Sequence, residues 1–580
     1  MAFDHQNPDN RARLAKALAN VYSKRDKARR RRQNLIDIYQ DSDDMLNYLD
    51  TSSHSTNDLG TLLNLFQQFV KGHLITLAFN NPKFSVNART LSGRGLDQRI
   101  EQMLDAYMDI LNFNTVQKQL ALDSAFGWAV CKVVDGPPPK GITSVVAPRV
   151  YRIPPDNFIV DPSAASFEEA TFSADLYLVD LEEAKQFEGY DPVLRETLRP
   201  FTDVSSTSRT VPEDFSADEV FIVPYTRLVD VYIPTTSTLY TYAANTDSFE
   251  QIASQEPLRV VQVPINPYVV ASLLNIPNQL TEIARLSALR GLHLITNEFL
   301  IKGVEQARAS QRNPVGPLGS EQDMTTALNA GDNNPIFLEK PKELDIFTVP
   351  GPDAAILNLS QLTASLFSSQ AGNLEVALGQ STGASTARQT DALLSQINAA
   401  QAIDRTTFEN FLAEIGRRLA TLAFHSEVLE VESILSIPGT RIQVTRMWGP
   451  PEQLPRVAGV DSFRFEVVPF STQLRTPEER LGQLQTASQM FIQWMGAKAQ
   501  GLPINTEAVI RSIGKGFDLV PEFQEWWTGE DPTTIEKTAS TYQSLAAPPQ
   551  GSDIRYQGSG RSVAPENLAE GGGLSSNDSV

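Results

Sequence analysis

Five histidines, at positions 5, 54, 73, 293 and 425, are the first residues to weigh for chemistry. A zinc or general-base site needs imidazoles that converge, as a pair one helical turn apart or beside cysteines and patterned carboxylates. No two of these five lie at i, i+4, and none has a cysteine or a patterned carboxylate nearby. His293 and His425 fall within helical patterns and read as helix-surface or core residues. Cys131 is the single cysteine, so no internal disulfide is possible and nothing points to an oxidising compartment. The stretch Gly379-Gln380-Ser381-Thr382-Gly383-Ala384-Ser385 has the texture of a phosphate loop. It lacks the lysine that would reach the β- and γ-phosphates, and no hydrophobic strand leads into it. Trp526-Trp527 reads as a packing or subunit-contact pair at a helix end. The run Arg29 to Arg32 reads as a solvated helix face, with contact to nucleic acid or an acidic partner as the alternative. Carboxylates are abundant, but no motif pairs them for acid–base work, so an enzyme reading has no sequence pattern behind it.

The elements that would position these residues follow from periodicity. Residues 9–50, 57–79 and 96–122 carry apolar residues at helical spacing, with Asn80, Asn81 and Pro82 stopping the second helix and a short strand at 83–87. The period then changes. Gly127 to Val134 reads as strand, and RVYRIPPDNFIV (149–160) as strand, Pro-Pro turn, strand. Further strands are expected at 176–180, 220–223, 228–233, 238–243 and 258–263, with a helix opening at Leu181 and a loop over 200–218. Helices first and a sheet afterwards predict an α+β fold.

The second half opens with a long helix over 278–302, ~37 Å at 1.5 Å per residue. About forty residues rich in Gly, Pro and Asn follow. A loop that long inside a compact domain is uncommon, so it should hold small strands or serve a purpose. Asp345 to Val349 is a strand, and Asp353 is the N-cap of a helix carrying Ile356, Leu359, Leu362 and Leu366. After the glycine-containing stretch 374–385 comes the longest helix, 386–424, ~58 Å. Strands are expected at 442–446 and 462–469, and helices at 477–498, 505–514 and 521–527. Beyond Thr528 the composition is that of a polar, disordered tail.

Composition bounds the function. The chain has 580 residues, 41% hydrophobic, enough for several globular cores. With 69 acids against 49 bases the net charge is −20, which is not the basic footprint of a protein that wraps DNA. Such a protein can still enclose DNA without gripping it, because like charge prevents sticking. The first ten residues lack an apolar signal core, and the longest apolar stretches fall short of the ~20 residues that span a bilayer. A soluble protein made in a cytoplasm is expected.

The order of elements resembles that of the portal (head-to-tail connector) proteins of tailed bacteriophages. NDLGTLLNLFQQFVKGHLITLAFNNPKFSV (57–86) is similar to the portal wing helix that ends in an N-P-x-F strand. RVYRIPPDNFIVDPSAASFEEATF (149–172) is similar to the wing segment that runs into Asp-Pro, and FEVVPFSTQLR (465–475) to the later returning wing strand. The resemblance covers about residues 10–525 and rests on order and texture.

It implies a mainly helical α+β portal fold with a small antiparallel sheet. The wing would be 1–277, the stem helices 278–302 and 353–373, and the clip between them 303–352. The tunnel loop would be 374–385, the long helix and returning wing strands 386–475, the crown 476–527, and the polar tail 528–580. The basic N-terminal helix and the tail have no matched counterpart. The resemblance further implies a homo-oligomeric ring, usually of twelve copies, at one capsid vertex of the virion. That ring is the channel for double-stranded DNA in packaging and ejection. Its implied partners are the terminase large subunit, a tail adaptor, the major capsid protein and a scaffold protein, with no membrane, cofactor or metal and no catalytic activity of its own. Gly379, Gln380, Ser381, Thr382 and Gly383 would face DNA, while Lys302, Arg308, Arg312, Lys340 and Lys342 would contact DNA phosphates or an acidic adaptor. The alternatives are another head–tail joining or structural virion protein, or a carboxylate-based hydrolase.

Overall fold

A computed structural model describes residues 3–40, 63–90, 93, 96–139, 146–201, 223–277, 279–309, 312–315, 325, 345–348, 351, 353–371, 387–436, 443–449, 459–468 and separate residues between 485 and 496. The fold is α+β with small antiparallel sheets.

Helix α1 (Pro8–Lys24) starts where the Asn7 side chain accepts from the Asp9 N–H, with Pro8 at the first helical position, where its missing N–H costs nothing. α2 (Asp26–Gln40) follows. The single helix expected from residue 9 therefore breaks at Arg25, whose guanidinium reaches across to Glu282. α3 (Leu65–Leu77) is capped by Asn64 and leads to β1 (Phe84–Ala88). The helix expected over 96–122 is two, α4 (Leu96–Ile110) and α5 (Phe113–Phe126). They part at Asn112, which stands at φ 49°. Asparagine tolerates that left-handed conformation better than most residues, so the chain turns there.

Strands β2 (Ala129–Gly136), β3 (Ala147–Ile153) and β9 (Tyr268–Ala271) form a sheet in the order β3-β2-β9. β4 (Phe158–Val160), β5 (Ser173–Asp180), β6 (Tyr225–Ile233), β7 (Thr238–Ala243) and β8 (Arg259–Gln262) form a five-stranded meander. The Pro-Pro turn falls between β3 and β4 as a short 3-10 turn, Pro155–Asn157. Short helices α6 (Leu181–Gln186), α7 (Pro192–Glu196) and α8 (Glu250–Ser254) decorate the meander. The strand expected at 220–223 is not seen at Val223, a bend; 220–222, like most of the 200–218 loop, lie outside the described residues. One face of the five-stranded sheet is covered by α1 and α8 through Leu14, Leu18, Tyr22, Val229, Val231 and Ile252. The other faces the three-stranded sheet through Trp128, Val130, Phe158, Tyr232 and Tyr268.

The helix expected over 278–302 is corrected to α9 (Arg290–Ala309). Residues 279–284 are not helical and Arg285–Ala288 is a 3-10 turn, because Glu282 is drawn out to two arginines. The helix also runs on through Gly303, so the insert begins later than residue 303. Within the insert, β10 (Arg312–Val315) pairs antiparallel with β11 (Asp345–Thr348), which is the expected DIFTV strand with a partner. α10 (Ala354–Gln370) begins at Asp353, whose carboxylate accepts from the Ala355 N–H at 2.9 Å, as its sequence predicts.

α11 (Ala387–His425) has 39 residues, ~58 Å, matching the expected longest helix. β12 (Val431–Ser436), unforeseen from the sequence, pairs with β13 (Gln443–Trp448). β14 (Phe463–Val467) pairs with β1 across almost four hundred residues of chain. The largest core gathers α4, β1 and α11 around Phe84, Leu104, Tyr107, Phe408, Leu412 and Ile415. At Gly416 a side chain would run into the Phe84 ring, so the glycine permits this close crossing. The free edge of β1 is closed by carboxylates on one face of α4. Phe84 N–H donates to Asp105 at 3.1 Å and Val86 N–H to Glu101 at 3.2 Å. Of the three helices expected between 477 and 527, only separate helical residues from 485 to 496 are described; 497–580 lie outside the described residues.

Candidate functional site

The feature with the most unspent surface is the pair α9 and α10, which pack against each other on either side of the insert. Their contact is polar at its centre. Thr296 donates to Thr363 at 2.9 Å, both buried, and Gln306 accepts from the Asp353 N–H at 3.0 Å. At the base of the pair His293 is buried against the Phe66 ring, centroids 4.8 Å apart, and burial lowers its pKa to about 4. Asn297 beside it donates to the His293 carbonyl at 3.0 Å and to Leu63 at 3.3 Å.

The outward faces differ in kind. On α10, Ala355, Leu359, Leu362 and Leu366 recur at spacings of four, three and four, which places them in one line along the helix. All four are exposed, the leucines at 41%, 53% and 45%. A monomer has no reason to keep such a row in water. Beside this row lies a polar arc of Asn358, Gln361 and Ser365, also exposed, and α10 carries no charged side chain along its length. On α9 the exposed residues Gly291, Ile295, Glu298 and Lys302 repeat the same four-three-four spacing. Nothing stands within 4 Å of the position of a Cβ on Gly291.

The base of this pair is fastened by charge. Glu282, just before α9, accepts from Arg25 at 2.8 Å and pairs with Arg32, and all three side chains are nearly buried. Arg32 and Arg29 also pair with Asp156 in the Pro-Pro turn. Burial lowers Arg25 to about 10, so it stays cationic at neutral pH, and burial lowers Arg32 as well while Asp156 opposes this. Arg285 meets Asp404 of α11 at 3.2 Å. These bonds tie the N-terminal helices, the sheet and the long helix to the root of α9. They also revise the reading of the basic run as one solvated face. Arg29 and Arg32 are internal, and only Arg30 and Arg31 are exposed.

Of the residues proposed to meet DNA or an adaptor, Lys302 is exposed and paired with Glu298 at 2.6 Å. Arg308 lies in the last turn of α9 and Arg312 on β10 opposite Thr348. Lys340 and Lys342, and Gly379, Gln380, Ser381, Thr382 and Gly383 with the rest of 372–386, lie outside the described residues. Gly379 to Gly383 also spells G-x-S-x-G, the nucleophile-elbow pattern. An elbow serine needs a strand leading in and a helix leading out. Helix α11 follows it, and the chain leading in is part of the undescribed stretch.

A second cluster, invisible to motif reading, sits between the two sheets. Lys132 of β2 contacts Asp175 of β5 at 2.8 Å and Asp230 of β6 at 2.6 Å. Tyr268 donates to Asp175 at 2.5 Å and Tyr177 to Asp230 at 3.1 Å. The signal is present: each of the three charges stands alone in an apolar run, in AVCKVV, ADLYLV and LVDVYI. All three side chains are sealed at 9% exposure or less, so no diffusing substrate reaches them. Among the described residues no group of three or more His, Cys, Asp and Glu could hold a metal ion, and no helix is long and apolar enough to cross a membrane. No family model matches the chain, and no curated protein matches it.

Proposed function

We propose that this chain is a portal-type protein: a ring at one capsid vertex through which double-stranded DNA is packaged and ejected. In this reading the ring docks a terminase motor and then a tail adaptor, and the chain turns over no external substrate. The observation that carries it is the α9–α10 pair with its bare leucine row. A ring is one heterologous contact repeated to closure, so every subunit needs two complementary surfaces that a single copy leaves exposed. The exposed rows on α10 and α9, alike in spacing, suit that need. The order of elements around them supports the same reading: an antiparallel strand pair within the insert, then a 39-residue helix, then a strand that returns to β1.

The uncharged arc of α10 sharpens the channel idea. DNA passing a neutral wall meets no fixed cations to displace its condensed counterions, and so no tight hold. The acidic character inferred from net charge is thus not needed at this surface. In this reading residues 290–309 and 354–370 are the stem, the strand pair β10–β11 roots the clip, and the segments 1–277 and 431–468 form the wing. Purified full-length protein in negative stain should show rings with a central hole. A species that stays monomeric or dimeric at assembly concentrations would sink the proposal.

A further inference from the structure

The cluster between the sheets has the composition and geometry of a reaction centre whose substrate is the protein itself. Strand alternation puts Lys132 on the face of β2 that carries Val130, and Asp230 on the face of β6 that carries Tyr232, both turned into the gap between the sheets. Asp175 and Asp230 are direct register partners on β5 and β6. Two like charges opposite each other across a ladder are destabilising unless something neutralises them. Lys132 enters from the other sheet to do so, and Tyr268, its own register partner on β9, closes the site.

We propose that Lys132 and Asp175 join spontaneously in an isopeptide bond that staples the three-stranded sheet to the five-stranded one, with Asp230 as the catalytic proton carrier. Lys132 Nζ lies 2.8 Å from Oδ1 and 3.1 Å from Oδ2 of Asp175, so the amine faces both oxygens and the carboxyl carbon between them. Asp230 Oδ2 is 2.6 Å from the same Nζ, within reach to take a proton from it. The Tyr268 hydroxyl, 2.5 Å from Asp175 Oδ1, donates to the oxygen on which negative charge develops during attack.

Burial raises the carboxyl of Asp175, and Asp230 adds to this while Lys132 opposes it. For Lys132, burial works downward and the two carboxylates more than offset it, so the ammonium form is the resting one. With a proton taken up on Asp175, transfer of one proton from Lys132 to Asp230 leaves a free amine, a neutral carboxylic acid and no net charge in the gap. The Nζ lone pair then attacks Asp175 Cγ and the C–N bond forms. The C–OH bond breaks, and the leaving hydroxyl takes a proton by way of Asp230 and departs as water. Asp230 is left holding one proton, the equivalent of the one first taken up on Asp175, and returns it to solvent. The sum is then an ammonium and a carboxylate going to an amide and one water, with Asp230 restored and no oxidant or co-reactant required. A dry gap favours the side of the reaction that expels water, and fixed neighbours remove the entropic cost of bringing amine and acid together.

The test is the mass of the full-length protein after denaturation. The intact chain should be lighter than its sequence by one water, and a tryptic digest should contain a branched peptide joining the Lys132 and Asp175 segments. Asp230→Asn keeps both reacting groups and should return the full mass, or slow the loss of water at least tenfold during incubation of freshly made protein. A wild-type chain that keeps its full mass after prolonged incubation overturns the proposal whatever the variant does. A branch at other residues overturns the assignment, and an unslowed Asp230→Asn overturns the role of Asp230.

Discussion

Replacing Leu362 and Leu366 together by glutamine is the sharpest probe of the ring. Glutamine is a good helix former, so α10 itself should survive the change. The two leucines are 53% and 45% exposed in one copy, so about half of each side chain remains to be buried by a neighbour. Full burial of a leucine stabilises by about 1.5–3 kcal/mol, so the remaining half contributes ~1 kcal/mol each and ~2 kcal/mol per contact for the pair. At ~1.4 kcal/mol per factor of ten, each subunit contact weakens ~30-fold. Closure repeats the loss at every contact round the ring. Mass photometry across a dilution series should show rings of the wild type persisting to concentrations at which the variant is dispersed. The unfolding free energy of the dispersed variant should stay within about 1 kcal/mol of the wild-type subunit's, as for surface positions. Rings of equal persistence in both proteins would refute the assignment of this row as the interface. A large loss of subunit stability would show instead that the row is covered within one copy.

Three further outcomes follow from the fold. Gly416→Ala places a methyl against the Phe84 ring in the main core and should destabilise the chain by about 1–3 kcal/mol in denaturant titration, the range for over-packing. Asp105 is pushed up to about 7, first by burial, so its folded form holds a proton that the unfolded form releases near 3.8. Its ionisation therefore erodes stability as pH rises from 4 through 7. Asp105→Asn keeps an acceptor for the Phe84 N–H, and should match the wild type at pH 4 and exceed it at pH 8 by on the order of 1 kcal/mol, read from paired melts. His293 behaves oppositely. Its folded pKa is lowered to about 4 from 6.5, so the stability of its neutral form is complete above 6.5 and is lost as pH falls through 4. His293→Phe fills the same space beside Phe66 and should lessen acid destabilisation by up to ~3 kcal/mol at pH 4; an unchanged acid limb would place the sensitivity elsewhere.

Local elements are legible in the residues wherever short-range chemistry is decisive. Asn7-Pro8 and Asp353 start helices because their side chains satisfy the first free N–H groups, and the pattern from 386 to 424 makes one long helix because its apolar residues never leave the 3.6-residue period. The strands of the five-stranded sheet were legible for the same reason, each being an apolar run closed by turn residues. What the tertiary structure alone decided were matters of partnership. The start of α9 moved to Arg290 because Glu282 is claimed by Arg25 and Arg32, some 250 residues earlier in the chain, and no local pattern records that. Arg32 turns inward on the same account, and Arg29 turns inward toward Asp156. β1 and β14 were each visible, but their pairing was not, since residue 84 and residue 467 share nothing but a register. Lys132, Asp175 and Asp230 looked like three unrelated charges in three strands. Only the stacking of two sheets brings them within 3 Å of one nitrogen, and that proximity gives them a chemistry that none has alone.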